Sequence, residues 1–285
     1  MIAAILAVCA AAGNAVASVL QRRAARLVPK ERAFRLSLIW ALIRQPVWLG
    51  GLAALIAGFA FQASALSVGG LALVQPILVT ELPITMILIA WAFGVHLDRR
   101  SWLAVGAQMG GLVLFLLTAA PEPGDQVPDA MGWTIAIAAT VGLIMALVAG
   151  ARFLTGPGRA AVLGGAAGLG FSFTATFMKE STSILKRSLA ELAVSWELYA
   201  MVAAGLCSLF LLENAFQSGT LVAAQPAVTI SDPVASVVYG VMLFGEEVRT
   251  GPWIVGEVAG IGLIVYGSIL LSQSAPIREQ GKAPP

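Results

Sequence analysis

The sequence predicts an all-α fold: a polytopic membrane helix bundle of about nine transmembrane helices in an inverted-topology repeat of four, one and four spans. Three observations predict it. Only 11% of the 285 residues are charged and 59% are hydrophobic, whereas soluble domains run near a quarter charged. Nine apolar runs are long enough to cross a hydrocarbon layer of about 30 Å. Two of them, 150 positions apart, repeat a pattern of Gln, Pro and acid that apolar bias does not supply.

The runs are 2–20, 47–66, 71–95, 101–119, 132–150, 160–178, 197–216, 220–244 and 252–272. The first has the small residues of a signal peptide, but no basic residue precedes it while Arg22, Arg23 and Arg26 follow. That order predicts an uncleaved helix with its N-terminus outside. Residues 33–43, AFRLSLIWALI, are too short to span and predict an interfacial or half-spanning helix. Residues 183–193, SILKRSLAELA, are read as its counterpart on the other side.

Nine crossings from an outside start put the C-terminus in the cytoplasm. Of the 17 basic residues, thirteen then lie in inside loops and four outside, the four being Lys179, Lys186, Arg187 and Arg249. The opposite orientation inverts that ratio, so the positive-inside rule selects this one. Trp48, Trp91, Trp102, Trp133, Trp196 and Trp253 lie near span ends, at the headgroup level that indole prefers. The expected location is a cell membrane, inner or plasma, crossed many times.

Sliding residues 69–110 onto 219–260 without gaps matches Gly69, Leu71, Gln75, Pro76, Pro83, Arg99, Val105, Gly106 and Gly110. About four matches are expected by chance from such composition. A single extra crossing, 132–150, inverts the second set relative to the first, which is a common build of secondary transporters. The predicted division is 1–120, 121–158, 159–275 and a disordered cytoplasmic tail, 276–285.

Glu81 is the eleventh residue of its run and Asp232 the thirteenth of the equivalent run. A carboxylate near the bilayer centre costs about 2.5–3.5 kcal/mol on insertion scales. An acid so placed can carry a proton, and an ionised pair can hold a cation through its oxygens. Pro76, Pro83, Pro226 and Pro233 lack an N–H and disturb the carbonyls four residues earlier, those of Ala72, Val79, Val222 and Thr229. Freed carbonyls at that depth need protein or a water-filled cavity beside them. With Gln75 and Gln225, these residues form the expected substrate or ion pathway. Asn14, Ser18, Gln62, Thr174 and Glu213 are secondary candidates. Gly106/Gly110 and Gly256/Gly260 are small-residue stripes for close helix packing, within the chain or between two copies in a homodimer.

The closing stretch, GVMLFGEEVRTGPWIVGEVAGIGLIVYGSILL, ends a helix in Leu243 to Glu246 and follows with Gly256, Gly260 and Gly262. Together with the two repeats, it resembles the EamA-like branch of the drug/metabolite transporter superfamily. In span number it is also similar to that superfamily's magnesium-transporter-like (NIPA-type) relatives. The resemblance implies a secondary active transporter for a small metabolite, drug-like or cationic solute, working by alternating access, or alternatively a divalent cation transporter. The family usually has five helices per repeat, and here 33–43 and 183–193 stand where the second would be.

Other classes find little in the residues. One His and short loops do not suit a membrane enzyme, so no catalytic residue is assigned and no cofactor expected. No glycine-rich phosphate loop is present, and no basic tract suits nucleic acid. Cys9 and Cys207 lie in apolar runs and read as packing residues. No metal-ligand set is legible. A non-transporting assembly or structural protein is the remaining alternative, with the lipid bilayer as its partner.

Overall fold

The computed structural model describes residues 1–26, 45–94, 96–219 and 221–273. The predicted interfacial segment 33–43 and the tail 276–285 lie outside them. The described residues form helices α1 (Ile2–Arg26), α2 (Pro46–Val68), α3 (Leu71–Leu78), α4 (Glu81–Phe93), α5 (Arg99–Ala119), α6 (Ala130–Ala151), α7 (Gly156–Arg187), α8 (Leu189–Val194), α9 (Trp196–Ser218), α10 (Leu221–Phe244) and α11 (Ile254–Ser272). Nine candidate spans result among the described residues, with α3 and α4 together making one, Leu71–Phe93.

Local chemistry explains the boundaries. Pro46 sits in the first turn of α2, where its missing N–H costs nothing. Asp98 and Asp129 cap α5 and α6, accepting from the amides of Ser101 at 2.9 Å and Gly132 at 2.7 Å. Gly94 ends α4 with φ +64°, a left-handed conformation that only glycine adopts cheaply.

Two differences from the sequence reading concern length and continuity. The run 71–95 is not one helix: residues 79 and 80 form a turn between α3 and α4. The run 160–178 extends much further, to Arg187. Residues 183–187 therefore belong to its last turns, and only Leu189–Val194 form a separate short helix. Lys179, assigned to an outside loop on charge, is a buried residue inside α7.

Packing is organised around α1 and α7. Helix α1 packs mainly on α2 and also on α3 and α4, while α7 packs mainly on α9 and α10 and also on α6. Helices α5 and α11 form a further intimate pair. Small residues permit these contacts: a Cβ on Gly111 would lie 2.6 Å from the Gly260 carbonyl, and one on Gly260 2.8 Å from the Gly111 carbonyl. Close backbone approach of this kind holds helices together where lipid offers no hydrophobic drive. Gly256 and Gly260 thus pack as expected. Gly106 and Gly110 make no such contact within the chain, since a Cβ on either meets nothing within 4 Å; Gly111 is the glycine in contact.

An aromatic and aliphatic core lies where α6, α7 and α10 meet α2 and α3. It includes Trp133, Phe173, Phe177, Leu66, Leu71 and Phe244. At that end of the bundle the loop after α5 and the loop after α10 pair as extended backbone. Glu122 and Glu247 exchange N–H···O bonds of 2.9 and 3.2 Å, and the Arg249 and Gln126 amides donate to the carbonyls of Ala119 and Phe244.

Candidate functional site: a broken helix and a buried ion pair

The break between α3 and α4 follows from Pro83. Its ring excludes the amide that would have bonded the Val79 carbonyl. That carbonyl instead accepts from Gln108 Nε2 of α5 at 3.4 Å and from the Leu82 amide at 3.3 Å. Glu81 is the first residue of α4, at the positive end of a helix dipole. Its carboxylate accepts from Asn14 Nδ2 of α1 at 3.3 Å. Asn14 reaches it because α1 packs on α4; α2 packs closely on the same stretch of α1, where a Cβ on Gly58 would collide with the Asn14 side chain.

Polar atoms gather around this break. Gln75 on α3, Thr80 in the turn and Gln108 on α5 are all buried, at 3%, 4% and 1% exposure. Gln75 Nε2, Thr80 Oγ1 and Gln108 Oε1 have no hydrogen-bond partner among the described residues. Each unsatisfied buried group of this kind costs about 1–3 kcal/mol, so the cluster suits a polar guest.

Asp232 lies on unbroken α10 and meets different neighbours. Ser236 donates to its carboxylate at 3.3 Å and also lies 2.9 Å from Ser172 Oγ of α7. Pro226 and Pro233 are accommodated inside α10. Thr229 Oγ1 takes up the Gln225 carbonyl at 3.0 Å and receives Ser268 of α11 at 3.3 Å.

A cavity of about 150 Å³ brings two of the sequence-predicted residues together, Pro76 of α3 and Pro233 of α10. Thr229, Phe115 and Glu257 also line it. Its one acid is therefore Glu257 of α11, whose Oε1 is buried without a partner among the described residues. Neither Glu81 nor Asp232 lines it. Glu257, near a span end, is not among the sequence-predicted site residues, and no sequence pattern signals the cavity.

The secondary candidates scatter. Asn14 belongs to the broken-helix cluster. Thr174 bonds its own helix at the Gly170 carbonyl, 2.8 Å, the usual behaviour of a helical threonine. Ser18 and Gln62 are half-buried and Glu213 is exposed; Gln225, from the expected pathway set, is also half-buried. Among the described residues no group of three or more His, Cys, Asp or Glu side chains could hold a metal ion.

Sequence reasoning missed the strongest electrostatic feature. Glu246, which closes the Leu243–Glu246 motif, is 2% exposed. Its carboxylate accepts from the amides of Leu71 and Ala72 at 2.7 and 2.8 Å, capping α3. It also accepts from Lys179 Nζ of α7 at 2.5 Å. The ammonium lies 4.5 Å from the Phe244 ring centroid, a cation–π distance. Gly70 and Gly240 leave room for the carboxylate; a Cβ on either would overlap it. Gly245, at φ +64°, turns the chain so that the Glu246 amide bonds back to the Gly240 carbonyl at 3.0 Å.

No family model matches the chain, and no solved structure matches it significantly. Among curated proteins it is 26% identical over 280 residues to an uncharacterized protein of Corynebacterium glutamicum, covering 96% of each chain. The chain is thus a polytopic membrane protein, with nine candidate spans among its described residues, related along nearly its whole length to that bacterial protein, and no family is assigned to it.

Proposed function

We propose that this protein is a secondary transporter that moves a small polar or cationic solute across the membrane by alternating access. The observation that carries the reading is the interruption of a membrane span at Val79 and Thr80, ringed by Glu81, Asn14, Gln75 and Gln108. Irregular backbone at membrane depth is tolerated where it lines protein or a wet cavity. Broken helices whose ends face the solute are a recurring transporter device.

The proposed arrangement keeps the inverted repeat, with 1–120 and 159–275 as related halves joined through 121–158. The resemblance to the EamA-like branch belongs to this reading, as does the orientation with the N-terminus outside. Support comes from parallel roles: α1 packs on α4 and its Asn14 serves Glu81, while α7 packs on α10 and its Ser172 joins the Ser236–Asp232 pair. The cavity between α3, α10 and α11 lies where two such halves would move against each other.

The test is gradient-driven flux in proteoliposomes, with candidate solutes first found by thermal stabilisation of the purified protein. Glu81→Gln and Asp232→Asn are expected to insert normally and to lose at least about tenfold in flux, about 1.4 kcal/mol in barrier. Flux at the parent level in the double variant overturns the assignment. Glu257→Gln separates the cavity from the break: a loss there alone moves the solute site to the α10–α11 side.

A further inference from the structure

At the end of the bundle that carries Glu246, a second cavity of about 530 Å³ opens between α6, the last turns of α7 and the start of α9. Trp133, Trp196, Glu180, Glu197 and Arg187 are among its lining residues. The aromatic surfaces are fixed. Trp133 stacks on Phe177 with centroids 5.1 Å apart and planes 8° from parallel. Trp196 meets Trp133 edge-on at 5.4 Å and Phe177 edge-on at 5.6 Å.

Glu180 gives this cavity its chemistry. It is 7% exposed, yet makes no hydrogen bond or ion pair with any described residue. Its neighbour Lys179 is committed to Glu246. The Glu180 carboxylate lines the open space of the cavity, with no counter-charge bonded to it. Glu197 repels it, and Arg187 and Lys179 attract it only at a distance. The charged groups lining the cavity, two acids and one Arg, sum to −1, which one monovalent cation neutralises. The volume is far larger than a bare metal ion needs, and tryptophan faces attract organic ammonium groups.

We propose that this cavity binds an organic ammonium ion, with Glu180 and Glu197 as its counter-charges and Trp133 and Trp196 as the surfaces that hold its carbon substituents. The site is distinct from the broken helix, and binding there is independent of whether solute crosses the membrane.

The full chain, purified in detergent, is titrated with choline and with 3,3-dimethylbutan-1-ol, choline's uncharged isostere, following tryptophan fluorescence. Choline is expected to bind saturably and at least about tenfold more tightly than the alcohol. Glu180→Gln should weaken choline by about tenfold, and Trp196→Leu by a few-fold. Glu191→Gln, an exposed acid at the same end outside the lining, should leave the affinity unchanged. Glu197→Gln, on the half-exposed start of α9, serves where Glu180→Gln does not fold by thermal melting. Equal affinity for choline and the alcohol overturns the proposal, as does unchanged choline affinity in the acid variants. Because the readout is binding alone, lost flux in Glu81→Gln with intact choline binding separates this site from the transport reading.

Discussion

Lys179 and Glu246 show how far one residue's surroundings can depart from its place in a sequence. A lysine about two helical turns from the charges Lys186 and Arg187 reads as part of a solvated loop. In the structure it is the buried cation of a triad with Glu246 and the start of α3. Removing one member leaves the other charge buried and unpaired, which costs about 3–5 kcal/mol. Lys179→Met is therefore expected to lower the unfolding free energy by about that amount, measured by denaturation in a mild detergent. Adding Glu246→Gln should restore part of the loss, because the stranded charge is then gone. A double variant as unstable as the sum of the single ones would show that the two side chains do not interact. Asp98 offers a pH test outside the spans. Hydrogen bonds from the Ser101 hydroxyl and amide hold its carboxyl below the usual aspartate range. Its capping contribution is thus complete above the ordinary aspartate pKa and fades as pH falls through the lowered one. Faster amide exchange at the start of α5 is expected only in strong acid, or at neutral pH in Asp98→Ala.

The helices themselves were largely legible, because twenty apolar residues in a row leave few alternatives. Continuity was harder to read. Pro76 and Pro83 both announced disturbed carbonyls, yet only Pro83 coincides with a break, while Pro226 and Pro233 sit inside an unbroken α10. The difference lies in a partner that no local pattern reveals: Gln108, 29 positions away from Val79, which supplies the missing donor. Gln75 and Asn14 were recognised as polar residues in apolar runs, but Gln108 and Glu257 gained their meaning from tertiary neighbours. Pro83→Ala restores an amide that can bond the Val79 carbonyl. It is expected to raise thermal stability while lowering flux, as happens when a strained functional element is relaxed. A variant equally stable and fully active would show the break to be incidental. Gln108→Leu should act in the opposite direction on stability, leaving Val79 less well satisfied, by about 1 kcal/mol.

At the scale of the whole molecule, charge placement predicts an orientation that can be measured directly. Single cysteines replacing Asp125 and Arg152, in a background with Cys9 and Cys207 replaced, should react with an impermeant maleimide from opposite sides, Asp125 from outside. Labelling of both from one side would overturn the crossing number, and the reverse pattern would overturn the orientation. The sites at the two levels of the bundle, the broken helix and the Glu180 cavity, were unequally visible in advance. Glu180 and Glu197 look like ordinary acids near span ends, and only the length of α7 and the tilt of tryptophans against it bring them to one space.

The pairing of residues 119–126 with 244–249 has a kinetic corollary. Four peptide-to-peptide bonds join the two loops there, and the Glu246 triad sits directly beside them. In the transport cycle proposed above, opening this face would have to break all four bonds, which makes that opening the step expected to be slow. In the proposed cycle, an inhibitor that cannot cross lipid is expected to act fastest when supplied to the compartment opposite this face.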